Sequence, residues 1–266
     1  MRLTIHHRTS YTYETPISYG LQQLRLIPKS RIGQTVVTWQ TNIEGGRKEL
    51  EFDDQHMNRV MLVSFEPGST QITVVCEGEV ETADTNGIVG KHAGFSPLWY
   101  FERGTPLTKP GPKVRALIKG LDRGDGDLPM LHSLSARVLE ALPYKVGQTH
   151  SATAAEEALG QGTGVCQDHA QIFITAARLL GYPARYVSGY LMMNDRVQQD
   201  ASHAWAEIHV DPLGWVGFDI SNGISPDERY VRVATGLDYR EAAPIHGLRF
   251  GAATEESLNV DIQVQQ

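Results

Sequence analysis

The chain has 266 residues, of which 41% are hydrophobic and 21% charged, with a formal net charge of -7; this composition describes one large or two ordinary globular domains. The acidity is mild, with a sequence pI of about 5.8, and no long basic run occurs, so nucleic acid is not an expected partner. No apolar stretch reaches the roughly 18 residues of a membrane span, and the opening Met1-Arg2-Leu3-Thr4-Ile5-His6 lacks the apolar core of a secretory signal, so neither a membrane partner nor export is expected and the location is read as cytoplasmic.

The first hundred residues read as β. Leu3, Ile5, His7 and Thr9 alternate with Thr4, His6 and Arg8, and Ile72, Val74, Cys76, Gly78 and Val80 alternate with Thr73, Val75, Glu77 and Glu79. Period-two patterns of this kind predict strands with one buried face. Residues 36–41 and 60–65 add two more, and Gly45-Gly46, Asp53-Asp54 and Pro67-Gly68 supply turns. Short strands separated by such turns predict a sandwich or small barrel. Cys76 falls on the apolar side of its strand and is expected to pack.

Beyond an aromatic cluster, Pro97-Leu98-Trp99-Tyr100-Phe101, the segment holding Pro106, Pro110, Gly111 and Pro112 reads as a linker. The boundary is therefore drawn at 105, with a β-rich domain over 1–105 and a second domain over 106–266. A short helix is expected over 114–121, followed by a solvated aspartate- and glycine-rich loop over 122–127. A longer helix carries Leu131, Leu134, Val138, Leu139 and Leu142 on one face and ends at Pro143. Residues 153–159 predict another short helix, with Thr153 as N-cap and Glu156 completing a capping box.

Three glycines, Gly160, Gly162 and Gly164, then lead into Cys166, and the helical pattern that follows stops at Gly181 with Pro183 beyond. Cys166 thus sits at the first turn of a helix, where unpaired N–H groups and the positive end of the dipole gather and favour a thiolate. Strands are expected over 184–192, 202–210 and 215–219, the last two forming a hairpin across the tight turn Asp211-Pro212-Leu213-Gly214. The alternating residues 258–264 predict a final strand.

A reactive thiol needs a base, and the base an orienting group. His203 opens its strand and shares a face with Trp205 and Glu207, while the small Ala204 and Ala206 on the other face permit close packing against the Cys166 helix. Antiparallel pairing about the hairpin turn can bring Asp219 beside His203, giving a Cys-His-Asp constellation recognised by role rather than order. His169 is an alternative base, although its place on the cysteine's own helix predicts a solvated or capping role. Asp168 in the first helical turn is read as compensating the dipole.

Four blocks occur in order: Gly164-Val165-Cys166-Gln167-Asp168-His169-Ala170, Gly181-Tyr182-Pro183-Ala184-Arg185-Tyr186-Val187-Ser188-Gly189-Tyr190, His203-Ala204-Trp205-Ala206-Glu207 and Gly214-Trp215-Val216-Gly217-Phe218-Asp219. Together they resemble the bacterial transglutaminase-like proteins, a branch of the papain-like cysteine fold, most densely from Tyr144 to Asn222. The first hundred residues resemble the β-rich N-terminal region common in that branch. The resemblance implies an α+β fold, with an N-terminal β-sandwich-like domain followed by a papain-like transglutaminase core. It also implies Cys166 as nucleophile, His203 as base and Asp219 as orienting acid.

The chemistry that follows is acyl transfer on a peptide-like amide or isopeptide bond through a thioester. Water as acceptor makes the protein a peptidase or amidase, which is the favoured reading. An amine acceptor would make it a transglutaminase, and a scaffold that retains the triad without turnover is the remaining alternative. The backbone N–H of Cys166 is the expected first oxyanion donor, with Tyr144 or Gln161 as candidates for the second and Trp205 as a candidate substrate contact. No cofactor or metal is expected, since no Cys-x-x-Cys pair, His-Glu-x-x-His helix or EF-hand loop occurs.

Overall fold

The computed structural model describes residues 1–250 and 256–266. In chain order the strands β1 (Arg2–Tyr13), β2 (Tyr19–Ile27), β3 (Gln34–Glu44), β4 (Gly46–Asp53), β5 (Arg59–Phe65), β6 (Gln71–Thr82) and β7 (Ile88–Gly90) come first, then a 3-10 turn over Leu98–Glu102. Helices α1 (Pro112–Ile118), α2 (Asp127–Ala141), α3 (Ala155–Gln161) and α4 (Cys166–Leu179) follow. The chain closes with β8 (Ala184–Leu191), β9 (Gln198–Gln199), β10 (His203–Val210), β11 (Gly214–Phe218), β12 (Tyr230–Gly236), α5 (Tyr239–Ala242), β13 (Ile245–Phe250) and β14 (Glu256–Gln265).

Three sheets carry the fold. Two of them, ordered β3-β6-β1-β14-β9 and β13-β2-β5-β4, face each other as a sandwich over Leu24, Val63, Ile72, Val74 and Cys76, all buried. The alternation read from β1 and β6 places Leu3, Ile5, His7, Thr9, Ile72, Val74, Cys76 and Val80 inside. The third sheet, β12-β8-β10-β11-β7, buries one face under α4: Ala204, Ala206, Ile208, Val216 and Phe218 pack with Ala170, Phe173, Ile174 and Ala177. Strand β8 is buried along its whole length, as a strand covered on both faces must be. Its far side and β12 meet Leu3, Ile5, Val80, Ile262 and Val264, which joins the sandwich to this core sheet. The architecture is the expected mixture of a β-rich N-terminal region and an α+β core.

Six of the described strands, β2, β4, β7, β9, β12 and β13, escaped the sequence reading. β2 buries Gly20, Gln22, Leu24 and Leu26 on one face, and the glycine and glutamine broke its apolar period. β4, Gly-Arg-Lys-Glu-Leu-Glu-Phe-Asp, is almost wholly exposed at the end of its sheet, and such a charged sequence is how edge strands avoid unwanted pairing.

The boundary at 105 describes the pairing incompletely in both directions. From the first segment, β7 pairs with β11 of the core sheet. From the second, β13 pairs with β2 and β14 with β1, the latter from Thr4↔Gln265 to Tyr13↔Glu256. The alternating tail has an apolar side to bury, and β1 offers the matching edge; neither sequence pattern names its partner.

The capping box also fell elsewhere. Helix α3 starts at Ala155, and Glu156 caps α1 instead, its carboxylate accepting from the N–H groups of Lys113 (2.8 Å) and Val114 (3.0 Å). Thr153 accepts the His150 N–H at 3.0 Å.

Candidate active site

The site forms where the start of α4 meets the beginning of β10. Cys166 is the first residue of α4 and is half-buried. Its N–H belongs to the opening turn, where no intrahelical acceptor exists. The turn is held by Asp168, whose Oδ2 accepts the Val165 N–H at 2.8 Å and the Thr149 hydroxyl at 2.6 Å. Asp168 is therefore a cap as well as a dipole partner, and its burial pushes the carboxyl upward against those hydrogen bonds. Only glycine fits at 164, because a Cβ there would stand 2.7 Å from Asp168 Oδ2 and 2.8 Å from Leu142 Cδ2.

The β10–β11 hairpin brings the second and third groups. Its register pairs Ala206 with Phe218, which carries Asp219 to the level of Trp205, one same-face step from His203. Gly214 closes the turn at φ +83°, where β7 passes so near that a Cβ would lie 2.2 Å from the Gly90 carbonyl. His203 Nε2 and Asp219 Oδ2 are 2.6 Å apart, with His203 8% and Asp219 0% exposed. That bond occupies Nε2, and Cys166 lies near enough to help raise the pKa of the imidazole.

Burial pushes the imidazole pKa down, but the hydrogen bonds to Asp219 and Cys166 and their negative charge outweigh it and raise it to about 10. Burial likewise works to raise the Asp219 carboxyl, and the bonds from His203, Tyr230 and Asn222 bring it below the ordinary value. The raised imidazole contributes stability fully below the free value of 6.5 and loses it as pH rises toward about 10. The depressed carboxyl contributes above its free value of 3.8 and loses that as pH falls. The pair thus stabilises the fold most between those two free values.

Two residues not singled out in the sequence complete the shell of Asp219. Tyr230 donates its hydroxyl to Oδ2 at 2.6 Å, and Asn222 donates Nδ2 to the same oxygen at 2.7 Å. Asn222 lies three residues after Asp219, a spacing typical of a side chain answering a turn carboxylate. Tyr230 arrives on β12, and nothing local in the sequence announces it. Trp205 lies alongside the imidazole, ring centroids 6.2 Å apart and planes at 28°.

His169 is neither solvated nor a cap. It is fully buried, with Nε2 2.6 Å from the Leu142 carbonyl and Nδ1 2.7 Å from the Ser221 hydroxyl. Burial lowers its pKa, so the neutral ring donates from Nε2 and accepts at Nδ1, and neither nitrogen is left for Cys166. Tyr144 stands beside the site: its backbone bridges to Gly164, its ring lies 6.1 Å from that of His169, and burial and then Cys166 raise its phenol. Gln161 is exposed at the end of α3, with its amide turned back to Glu157 Oε1 at 3.5 Å. Among the described residues no group of three His, Cys, Asp or Glu side chains is placed to hold a metal ion. No helix there is long and apolar enough to cross a membrane.

This arrangement supplies a thiol at a helix start, an imidazole held from behind and a buried carboxylate. It is suited to nucleophilic attack followed by proton transfer.

Comparison with known proteins places the chain among its relatives. Residues 115–220 match the transglutaminase-like superfamily, and residues 3–81 match the bacterial transglutaminase-like N-terminal region. An uncharacterized protein of Mycobacterium bovis is 33% identical over 99% of this chain and 92% of its own length. One from Mycobacterium leprae is 27% identical over 98% of each. Among solved structures, a Cytophaga hutchinsonii protein provisionally described as a cysteine protease superposes with a TM-score of 0.77, covering 100% of this chain and 98% of its own at 18% identity.

Proposed function

The chain belongs to the transglutaminase-like superfamily, and from that premise we propose that it is a thiol-dependent acyl-transfer enzyme acting on amide or isopeptide bonds of peptide-like substrates, with hydrolysis as its reaction. The observation that carries this reading is the bond between buried His203 and Asp219, with Cys166 near enough to the imidazole to help raise its pKa. The Cys166 sulfur attacks the carbonyl carbon, and the C–N bond breaks as His203 delivers its proton to the leaving amine, leaving a thioester. Water, deprotonated by the imidazole, then attacks the thioester and returns the sulfur. Asp219 orients the imidazole and stabilises its charged form. The Cys166 N–H is the first oxyanion donor and the Tyr144 hydroxyl the second, a reading supported by the nearness of Cys166 to that phenol.

The test of the function is turnover of a peptide-amide library with and without a primary amine. The hydrolytic reading expects the free carboxylic acid as main product in both conditions. Conversion mainly to the amine adduct would assign transamidation instead, and no turnover of any substrate would favour a scaffold.

The imidazole, with its raised pKa, lies beside Cys166, and a neighbouring cation promotes alkylation of a thiol. Iodoacetamide labelling of Cys166 at about pH 6 in the parent and in His203→Ala measures that coupling. His203→Ala should slow labelling at that pH. Cys76 should label slowly throughout, since burial pushes its thiol up to about 11. Coincident pH–rate profiles for the parent and His203→Ala would show that the two side chains do not act as a pair.

Asp219→Asn should lower kcat by up to roughly 10⁴, the loss seen for the comparable change in serine enzymes, and by less where the ion pair forms before substrate arrives. Tyr230→Phe removes one of the donors to the same oxygen and should cost about tenfold in kcat/KM, the worth of a charge-assisted hydrogen bond. A loss below about threefold in Asp219→Asn would leave that carboxylate a turn residue only.

A further inference from the structure

We propose that the junction between the N-terminal sandwich and the core sheet is a binding site for one small oxyanion, a carboxylate or phosphate group, held by Arg31 and Arg232. The site lies on the face of the core sheet that carries Trp205 and Glu207, away from α4, and it is separate from the chemistry at Cys166.

Its charges do not balance within the chain. Glu207 is fully buried. Its Oε2 accepts from Arg185 Nε at 2.6 Å and from Arg232 Nη2 at 3.2 Å, while Oε1 accepts from Arg232 Nε at 2.7 Å. One carboxylate therefore serves two guanidinium groups, and Nη1 of Arg232 remains outside that pairing. Arg31 joins the same cluster from the bridge that precedes β3. Its Nη1 is buried without a hydrogen-bond partner among the described residues. Asp227 also lines the space, but Arg229 takes both of its oxygens, at 3.0 Å from Nε and 2.6 Å from Nη2. Three guanidinium groups against one available carboxylate leave an excess of two positive charges in a partly desolvated junction. Buried charge is costly unless paired, and burial together with Arg232 lowers the Arg31 guanidinium to about 9.

Size and shape narrow the occupant. The cavity has a volume of about 60 Å³. At about 10–15 Å³ per water it has room for roughly four to six waters, which suits a carboxylate or a phosphate and is too small for a sugar or a nucleoside. Guanidinium forks match both groups in bidentate geometry, and Thr85 adds a hydroxyl to the wall. Trp205 and Tyr230 form another part of that wall. The same two side chains flank His203 and Asp219, so an occupant would brace the triad from behind.

The experiment is titration of the full chain with inorganic phosphate and, separately, acetate at constant ionic strength, following Tm and tryptophan fluorescence. A saturable rise in Tm is expected with at least one of them, and the tighter of the two identifies a tetrahedral or a planar group. Arg31→Gln should weaken the response about tenfold, the worth of one charge-assisted hydrogen bond, whereas Arg47→Gln, at an arginine whose side chain is 76% exposed, should respond like the parent. Thr85→Asp plants a carboxylate on the wall and should raise Tm without added anion while abolishing the response. No saturation in the parent by about 50 mM, an equal response in Arg31→Gln, or an undiminished response in Thr85→Asp would each overturn the proposal. The last of these decides the matter even if Arg31→Gln does not fold. None of the readouts uses turnover, so they are independent of the acyl-transfer reading.

Discussion

Cys166→Ala is expected to abolish turnover completely while leaving Tm and the circular dichroism spectrum close to those of the parent. The sulfur is the atom that would carry the acyl group, and no neighbour can replace it: both nitrogens of His169 are engaged, and Cys76 lies buried in the sandwich core. Little volume is lost at a half-buried position, and the opening turn of α4 is held by Asp168 and Gly164, not by the thiol. In a serine hydrolase, loss of the nucleophile costs about as much as loss of the whole triad, a factor of about 10⁶ in kcat. Residual turnover above about one per cent of the parent rate would remove Cys166 from the mechanism. Cys76→Ala should behave in the opposite way, keeping activity and lowering stability by the few kcal/mol typical of a core truncation, about 1–3.

Glu207→Gln should be the most destabilising single change away from that thiol, costing about 3–5 kcal/mol in denaturant unfolding. Glu207 and Arg185 are both buried. Arg185 also stacks 3.9 Å from the Trp215 ring, so it cannot withdraw to water without dismantling the packing beside β11. Burial alone would raise the Glu207 carboxyl, and Arg185 and then Arg232 hold it far below the ordinary range. Its contribution is therefore present above the free value of 4.5 and fades only as pH falls through the much lower folded value. Glu207→Gln should accordingly lose most of the parent's advantage at neutral pH and little of it in strong acid. A cost below about 1 kcal/mol at pH 7 would mean that the arginines find other partners.

How much of this was legible in the sequence depends on the range over which each signal acts. Cys166 at a helix start was readable because the glycines, the helical period and the stop at Gly181 are neighbours along the chain. Asp219 beside His203 was readable because a single tight turn fixes the hairpin register, so pairing can be counted outward from it. Tyr230 was not, since it reaches Asp219 from a different strand of the sheet. Thr153 and Glu156 had the spacing of a capping box, yet Glu156 answered the bare N–H groups of α1 because that helix lies within reach and carries no capping side chain of its own. His169 fits the outward reading of an i+3 neighbour until Leu142 and Ser221 close over it. The arginine cluster was equally hidden, because Arg31, Arg185 and Arg232 come from three distant segments and nothing in any one of them tells that they gather around one carboxylate.

The pairing of β14 with β1 sets a condition on synthesis. β14 lies inside its sheet, between β1 and β9, and not at a rim. During translation β1 emerges first and must wait for residues 256–265 before its second edge is covered. The sandwich cannot close before residues 256–265 are made, and the exposed edge of β1 is open meanwhile to other strands. A chain cut short before residue 256 would lose an interior strand and leave β9 without its partner, whereas the helices around α4 would already have met the core sheet. A late strand thus commits a much earlier one to its place.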